Sequence, residues 1–293
     1  MQDSCAQKRD ILRCVNCVVA LNTEEDIDML PVELVFVRHG QSEINKAIHL
    51  SRQGDHSAFT PKLRNTHTSR FHLTELGQMQ AAQVGAWIRK NLPGDFSCFH
   101  RYFTSPYFRA METAALMKIP GATWEQRIEL GERDWGGFEN YPENERCEKF
   151  PGFYEQWKRE PFNTKPPGGE SLAQKCLWVR LFLDMLEKYH ANERVIVVCH
   201  ADVIQVARFL LENIPLDVFE SMIAPDRRED QIYNCQVFEY SRLPPKSGNI
   251  SDHLLWSRTI RPTESPAQVS EWREIPAVRR YSNEELLELA SRR

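Results

Sequence analysis

The chain has 293 residues, of which 41% are hydrophobic and 27% are charged, a composition typical of a globular protein with a sizeable core. Its 37 basic and 41 acidic residues give a net charge of −4, which argues against a nucleic-acid partner. There is no run of 18 apolar residues, and charges interrupt the N-terminal segment, which argues against a membrane span or a secretion signal. Eight cysteines are too sparse for a disulfide scaffold, so we expect a cytoplasmic protein.

Short β-rich runs alternate with amphipathic segments along the chain, which predicts strands that alternate with helices. In chain order the predictions are a strand at 32–37, a long loop at 51–71, a helix from Thr74 to before Pro93, a strand at 100–104, a helix at 107–117, a helix from Ser171 to about Tyr189, a strand at 194–199, a helix at 203–211, and further strands at 233–240 and 253–261. A capped helix follows Ser282.

This alternation is typical of a mostly parallel sheet covered by helices on both faces, that is, a three-layer αβα sandwich. We expect three parts: an N-terminal extension at 1–31, the αβα domain at 32–261, and a C-terminal tail with a short helix at 262–293. The Cys14 and Cys17 pair in the extension has no second Cys or His pair at zinc-ligand spacing, so we predict no metal there.

Two of the predicted strands end in the same way. The strand at 32–37 runs into Arg38 and His39, and the strand at 194–199 runs into His200. Between them, the strand at 100–104 leads into Ser105, the expected helix cap, and a helix that carries Arg109 in its first turn. Ligands bind beyond the carboxyl ends of parallel strands, and two guanidinium groups with a helix N-terminus suit a tetrahedral anion. The pattern therefore predicts a phosphate site.

The residues that form this pattern resemble the signatures of the histidine phosphatase superfamily, in particular its phosphoglycerate mutase-like branch with broad-specificity phosphatases. RHGQSEIN at 38–45 is similar to that family's RHGxSxxN, and LTELGQMQA at 73–81 to its LTxxGxxQA helix. SPYFRAMETA at 105–114 and GGES at 168–171 are similar to its SPxxRAxxTA and GGES motifs. Four motifs in the family's order are far more specific than a lone Arg-His-Gly.

The resemblance implies a phosphoryl transfer through a phosphohistidine. His39, in its neutral form, would attack phosphorus and become the phosphoenzyme. Arg38, Asn45, Arg109 and His200 would hold the equatorial oxygens, and the arginines would supply the charge that magnesium supplies in other phosphoryl-transfer sites. We therefore predict no metal, no cofactor and a small phosphorylated substrate; the oligomeric state is left open.

The general acid is expected in the loop GERDWGG at 131–137, which resembles the family loop whose first acidic residue protonates the leaving group. This assigns the role to Glu132, with its pKa raised by shielding from Trp135 and Phe138. Asp202 is the competing carboxylate, but it lies two residues after His200 rather than next to it. We expect Asp202 to act through phosphate binding.

Two departures from the family pattern bear on the substrate. Ala201 takes the position of the usual glycine after the second histidine, at the edge of the phosphate site. The long loop at 51–71 offers basic groups, including Lys62, Arg64 and Arg70, that could reach a substrate.

The segment 138–143, where mutases carry a lysine, has two acids and no cation. We therefore predict a phosphomonoester hydrolase. A phosphoglycerate-type mutase and a catalytically weak module that binds phosphorylated ligands or partners are the alternatives.

Overall fold

A computed structural model of the protein describes residues 29–92, 99–224, 231–245 and 248–291. Cys14 and Cys17, with most of the N-terminal extension, lie outside these ranges. In the described part of the chain, eight strands form one sheet: β1 (Glu33–Arg38), β2 (Arg101–Thr104), β3 (Trp124–Gln126), β4 (Arg194–Cys199), β5 (Val237–Ser241), β6 (Trp256–Arg261), β7 (Gln268–Val269) and β8 (Arg273–Glu274).

Helices follow most of these strands, as the sequence predicts. Their bounds are α1 (Glu43–Ser51), α2 (Pro61–Arg64), α3 (Glu75–Asn91), α4 (Phe108–Leu116), α5 (Glu143–Lys149), α6 (Pro151–Arg159), α7 (Leu172–Tyr189), α8 (Ala201–Leu211), α9 (Leu216–Met222) and α10 (Asn283–Ser291). Side-chain caps begin the longest of them: Thr74 accepts from the backbone of Gly77 in α3, and Ser171 forms a capping box with Gln174 in α7.

The strand order is β3-β2-β4-β1-β5-β6-β7, with β8 paired to β6. The four strands on one side, β3, β2, β4 and β1, are parallel, and β5 to β8 extend the sheet by antiparallel pairing. Because β1 lies beside β4 and β4 beside β2, the carboxyl ends of all three meet at one edge of the sheet.

Helices cover both faces of this sheet, which confirms the three-layer αβα architecture. Along β1, Leu34 and Phe36 face one core with α7 and α8, whereas Val35 and Val37 face another with α3 and α4. All four side chains are fully buried. A central strand buried on both faces reads as a continuous apolar run, which is why its sequence shows no alternation.

The region at 51–71 is not wholly irregular. It contains α2 and a short 3₁₀ turn, Thr68–Arg70, and its Phe59 and Phe71 pack with Ile44 of α1 in a small separate core. Burial of these rings holds the segment against α1, the helix that follows β1.

The sheet continues beyond residue 261, where we divided the domain from the tail. Strands β7 and β8 pair with β6, and Ile275 is buried in the core beneath α7 and α8. The helix predicted after Ser282 is α10. Among the described residues, no helix is both long and apolar enough to cross a lipid bilayer.

Candidate active site

The sheet register brings the two predicted histidines together. Arg38 on β1 is paired with Cys199 on the parallel strand β4, so the next residues, His39 and His200, leave the sheet side by side. Their ring centroids are 5.1 Å apart, and both side chains are almost fully buried. The sequence predicted this convergence from the strand ends alone.

Backbone contacts define the protonation state of His39. Its Nδ1 lies 2.7 Å from the carbonyl oxygen of Gly40, which can only accept, so Nδ1 carries the proton. Nε2 therefore has a free lone pair, and it accepts a hydrogen bond from Arg109 Nε at 3.1 Å. Burial, together with the charges of Arg109 and Arg38, holds the pKa of His39 well below its usual range. The ring is neutral, and the lone pair of its Nε2 faces a guanidinium.

Arg109 lies in the first turn of α4 and is 2% exposed. Besides His39, its guanidinium donates from Nη1 to the carbonyl oxygen of Thr68 at 2.5 Å. The loop at 51–71 thus reaches the site through its backbone, a contact that no side-chain pattern could reveal. Of the basic side chains expected to reach a substrate, Arg64 instead forms a two-pronged ion pair with Glu145 on α5, at 2.6 and 2.9 Å.

Arg38 and Asn45 lie on the other side of His39. Arg38 donates from Nη1 to the carbonyl of Ile232, and its buried Nε has no partner among the described residues. Asn45 accepts from Asn234 at 3.2 Å, and the same Asn234 amide donates to the His39 carbonyl at 3.0 Å. Sequence reasoning missed Asn234, which lies 195 residues from His39 in the chain.

His200 is oriented by Ser105. Its Nε2 is 2.7 Å from the Ser105 hydroxyl, and the oxygen of that hydroxyl accepts from the Tyr107 backbone N–H at 3.3 Å. Its Nδ1 is buried without a partner among the described residues and lies 3.9 Å from Oε2 of Glu132. Burial and the charge of Arg109 lower the pKa of His200 well below its usual range. The helix α8 starts directly after it, at Ala201, with no side-chain cap.

Glu132 completes the group. Its Oε1 accepts from the backbone of Arg133 at 3.1 Å, and burial followed by repulsion from Asp202 raises the pKa of Glu132 to about 7. The direction of this pKa shift agrees with our expectation for an acid. The expected neighbour Trp135 contacts the next residue, with its ring centroid 3.7 Å from the guanidinium carbon of Arg133.

The GGES motif anchors the loop that carries Glu132. The backbone of Glu170 donates to Asp134 at 2.7 Å, and Lys175 of α7 bridges the Gly131 carbonyl and the Glu170 carboxylate, each at 3.1 Å. Gly136 has φ of +54°, and a Cβ there would lie 2.2 Å from the Pro167 carbonyl oxygen. Only glycine fits that left-handed, crowded position.

His39, Glu132 and His200 each offer one ligand atom within 4.8 Å of the others, so the three could hold a metal ion. Such an ion would use the His39 lone pair that now accepts from Arg109. The predicted absence of a metal therefore stays a prediction.

A cavity of about 530 Å³ opens beside Arg38, Asn45 and Ala201. Its aromatic lining residues are Trp135, Phe138, Tyr154 and Trp157, and its further basic ones are His49, Arg52, Arg146 and Lys158. The cations Arg52, Arg146 and Lys158 come from the C-terminal end of α1 and from α5 and α6 rather than from the segment 138–143, which contributes Phe138 and Glu139. The cavity is therefore more cationic than that segment suggested.

Comparison with known proteins agrees with this geometry. Residues 34–227 match the model of the histidine phosphatase superfamily (branch 1), which spans more than half of the chain. The protein belongs to the histidine phosphatase superfamily.

Curated relatives include both mutases and phosphatases. A 2,3-bisphosphoglycerate-dependent phosphoglycerate mutase from Methylorubrum populi is 28% identical over 196 residues, which cover 64% of this chain and 83% of that protein. Phosphoserine phosphatase 1 from Hydrogenobacter thermophilus is 29% identical over 196 residues, which cover 65% and 81%.

Solved structures share the fold. A mycobacterial glucosyl-3-phosphoglycerate phosphatase in complex with VO3 superposes with a TM-score of 0.56 at 20% identity, covering 71% of this chain and 92% of that one. The alpha-ribazole phosphatase from Shigella flexneri gives a TM-score of 0.55 at 16% identity, covering 75% and 96%.

Proposed function

We propose that the protein is a phosphomonoester hydrolase that works through a phosphohistidine on His39. One observation carries the proposal: a neutral histidine whose free Nε2 is 3.1 Å from Arg109 Nε, in a buried site shared with a second histidine and with a carboxyl group whose pKa is raised to about 7. A neutral nucleophile, a fixed cation and a protonated acid are what phosphoryl transfer to an enzyme side chain requires.

In the first step, Nε2 of His39 forms the N–P bond as the ester P–O bond breaks. Arg109 exchanges its contact with Nε2 for a phosphate oxygen, and Arg38 donates from Nε, which has no partner among the described residues. His200 donates from Nδ1 in the tautomer whose Nε2 accepts from the Ser105 hydroxyl. Glu132 gives its proton to the leaving alkoxide. Because these donors are already fixed and shielded from water, they stabilise developing charge without reorganising.

In the second step, the Glu132 carboxylate takes a proton from a water molecule that attacks phosphorus. The N–P bond breaks, inorganic phosphate leaves, and both His39 and protonated Glu132 are regenerated. A single carboxyl group serves both steps because its pKa lies near the working pH.

We propose that catalysis needs no metal or cofactor, since Arg38 and Arg109 supply the positive charge. Hydrolysis of p-nitrophenyl phosphate is expected to survive EDTA, to be blocked by vanadate and to be inhibited by added zinc, which would occupy the His39 lone pair. Loss of activity in EDTA that magnesium or zinc restores would contradict this proposal and assign the three ligand atoms to a metal.

The mutase is the second candidate, because of the basic lining of the cavity. Arg52, Arg146 and Lys158 could hold the second anionic group of a phosphorylated acid, and several curated relatives are named as phosphoglycerate mutases. Phosphorus NMR of the protein with 3-phosphoglycerate separates the two. Release of inorganic phosphate supports the hydrolase, whereas a second phosphoglycerate formed as fast as p-nitrophenyl phosphate is hydrolysed would establish the mutase.

A catalytically weak binding protein is the remaining alternative, and a direct assay decides it. Vanadate binding without turnover of any phosphomonoester in a metabolite panel would favour the binding protein over the hydrolase.

We also propose a cytoplasmic location, supported by the buried, unpaired thiols of Cys199 and Cys235, which suit a reducing compartment. Fractionation of cells that express the protein would test it.

A further inference from the structure

An ion pair joins the loop of Glu132 to the helix of His200. Arg133 directly follows Glu132, and its side chain is 2% exposed. Its Nε lies 2.9 Å from Oδ2 of Asp202, in the first turn of α8. The two atoms are not aligned as a hydrogen bond, so charge attraction in a buried setting holds them together.

The pair spans the gap between the two groups that have to cooperate in the proposed reaction. Glu132 and Arg133 are neighbours in the loop, and His200 and Asp202 are two residues apart at the start of α8. Between Glu132 and His200 themselves there is no hydrogen bond, only a separation of 3.9 Å. The Arg133–Asp202 contact is thus a direct charged link between the acid loop and α8.

Trp135 fixes the direction of this link. The centroid of its ring lies 3.7 Å from the guanidinium carbon of Arg133, and the same ring stacks on Phe138. A guanidinium held between a ring and a carboxylate has little rotational freedom, and a lysine could not reproduce that planar contact.

We propose that Arg133 and Asp202 are a positioning pair that holds the Glu132 carboxyl beside His200, an inference that rests on the proposed function of Glu132 as the acid. Neither residue needs to touch the substrate. This role differs from the one we expected for Asp202, because its charge is matched by Arg133 and a carboxylate has no attraction for a phosphate oxygen.

The charges that surround Glu132 support the assignment. Asp202, on α8, raises the pKa of Glu132, whereas Arg109 on α4 and Arg38 on β1 lower it. His200 and Lys175 face the same loop. Removing the Asp202 charge would let the pKa of Glu132 fall, and a loosened loop would admit water and lower it further. Both effects lower the pH at which Glu132 loses its proton, so the rate of the variant should begin to fall at a lower pH.

The test compares Asp202→Asn, Glu132→Gln and the double variant, using an activated aryl ester (p-nitrophenyl phosphate) and an alkyl ester (glycerol 2-phosphate) over a range of pH. Asp202→Asn should lower kcat/KM for the alkyl ester by about tenfold, a fraction of what a positioned acid contributes, and change the aryl ester by less than about threefold. The alkaline limb of its pH profile should move to lower pH. In the Glu132→Gln background it should have no further effect.

Asp184→Asn is the matched control, since Asp184 pairs with Arg180 on the exposed side of α7 and should leave both rates unchanged. If Asp202→Asn does not fold, as judged by its thermal unfolding, Arg133→Lys serves instead and should show a smaller version of the same selective loss.

Equal slowing of both esters, with weaker vanadate inhibition, would overturn the proposal and return Asp202 to the phosphate site. The proposal would also be overturned if Asp202→Asn lowered kcat/KM in the Glu132→Gln background by the same factor as in the wild type. If Glu132→Gln itself slows both esters alike, the assignment of the acid fails first, and the positioning role fails with it.

Discussion

The strand-end site and the outer cavity wall are built in different ways. His39, His200 and Arg109 are 2% exposed or less, and each stands within a few residues of the end of a parallel strand. By contrast, Arg52 and Lys158 of the cavity wall are exposed and come from segments without a recognisable motif. Under the proposed function, this difference would make the sheet fix the chemistry, whereas the helices and loops of the cavity wall would select the substrate.

His39→Ala tests the strand-end site most severely. We expect turnover of both aryl and alkyl esters to fall by at least about 10⁴-fold, because the remaining donors can bind phosphate but cannot form the N–P bond. Retained vanadate binding would show that the site is still assembled. Activity within tenfold of the wild type would mean that the nucleophile lies elsewhere, with His200 the next candidate.

Glu132→Gln is the next largest change, and its effect should depend on the leaving group. We expect alkyl esters to slow by about 10²- to 10⁴-fold and p-nitrophenyl phosphate far less in its first step, because nitrophenolate leaves without a proton. Burst kinetics separate that step from the hydrolysis of the phosphoenzyme, which also uses Glu132.

The pH dependence of kcat/KM tests the same role of Glu132 as the acid. Since burial raises the pKa of Glu132 to about 7, the acid is protonated below that pH and loses its proton above it. The wild-type kcat/KM for alkyl esters should therefore fall as the pH rises through about 7, and this limb should vanish in Glu132→Gln. An unchanged limb would assign it to another group.

Arg109→Ala should cost about 10²- to 10³-fold on both classes of ester, as does the loss of one fixed donor to a developing charge. Its two hydrogen bonds, to His39 and to Thr68, fix the guanidinium before substrate arrives. Arg180→Ala, on the exposed side of α7, is the control and should be silent. A change in KM alone would reduce Arg109 to a binding residue.

Lys158→Ala probes the cavity wall and should have the smallest effect. We expect the KM of a substrate with a second anionic group to rise by about three- to tenfold, as for one exposed charge, with p-nitrophenyl phosphate unaffected. Raising the ionic strength should shrink the difference. Lys90→Ala on α3, away from the cavity, is the control. Equal effects on both substrates would mean that the wall does not select for a second charge.

The difference between the strand-end site and the cavity wall also explains which parts of the fold and of the candidate site could be predicted from the sequence. The interiors of β1 and β4 are unbroken apolar runs, and His39 and His200 follow their ends, so both the sheet and the edge that carries the candidate site follow from local pattern. Motif glycines are explained by close approach: a Cβ on Gly77 of α3 would lie 2.0 Å from the carbonyl oxygen of Gln41.

Contacts between distant segments could not be predicted in this way. Asn234 reaches His39 across 195 residues, and Thr68 reaches Arg109 through a backbone carbonyl that every residue type possesses. Arg64 looked like a substrate ligand but pairs with Glu145, 81 residues away. The charge of a side chain is visible in the sequence, whereas its partner depends on which distant segment the fold places beside it.

Location of the phosphoryl group on the enzyme tests the central proposal most directly. The protein would be mixed with a ³²P-labelled phosphomonoester, quenched in base, in which phosphohistidine survives, and digested for peptide mapping by mass spectrometry. We expect a label on the peptide that contains His39, formed before inorganic phosphate is released and absent from His39→Ala. A label on His200, or turnover through which no labelled enzyme forms at any time, would contradict it.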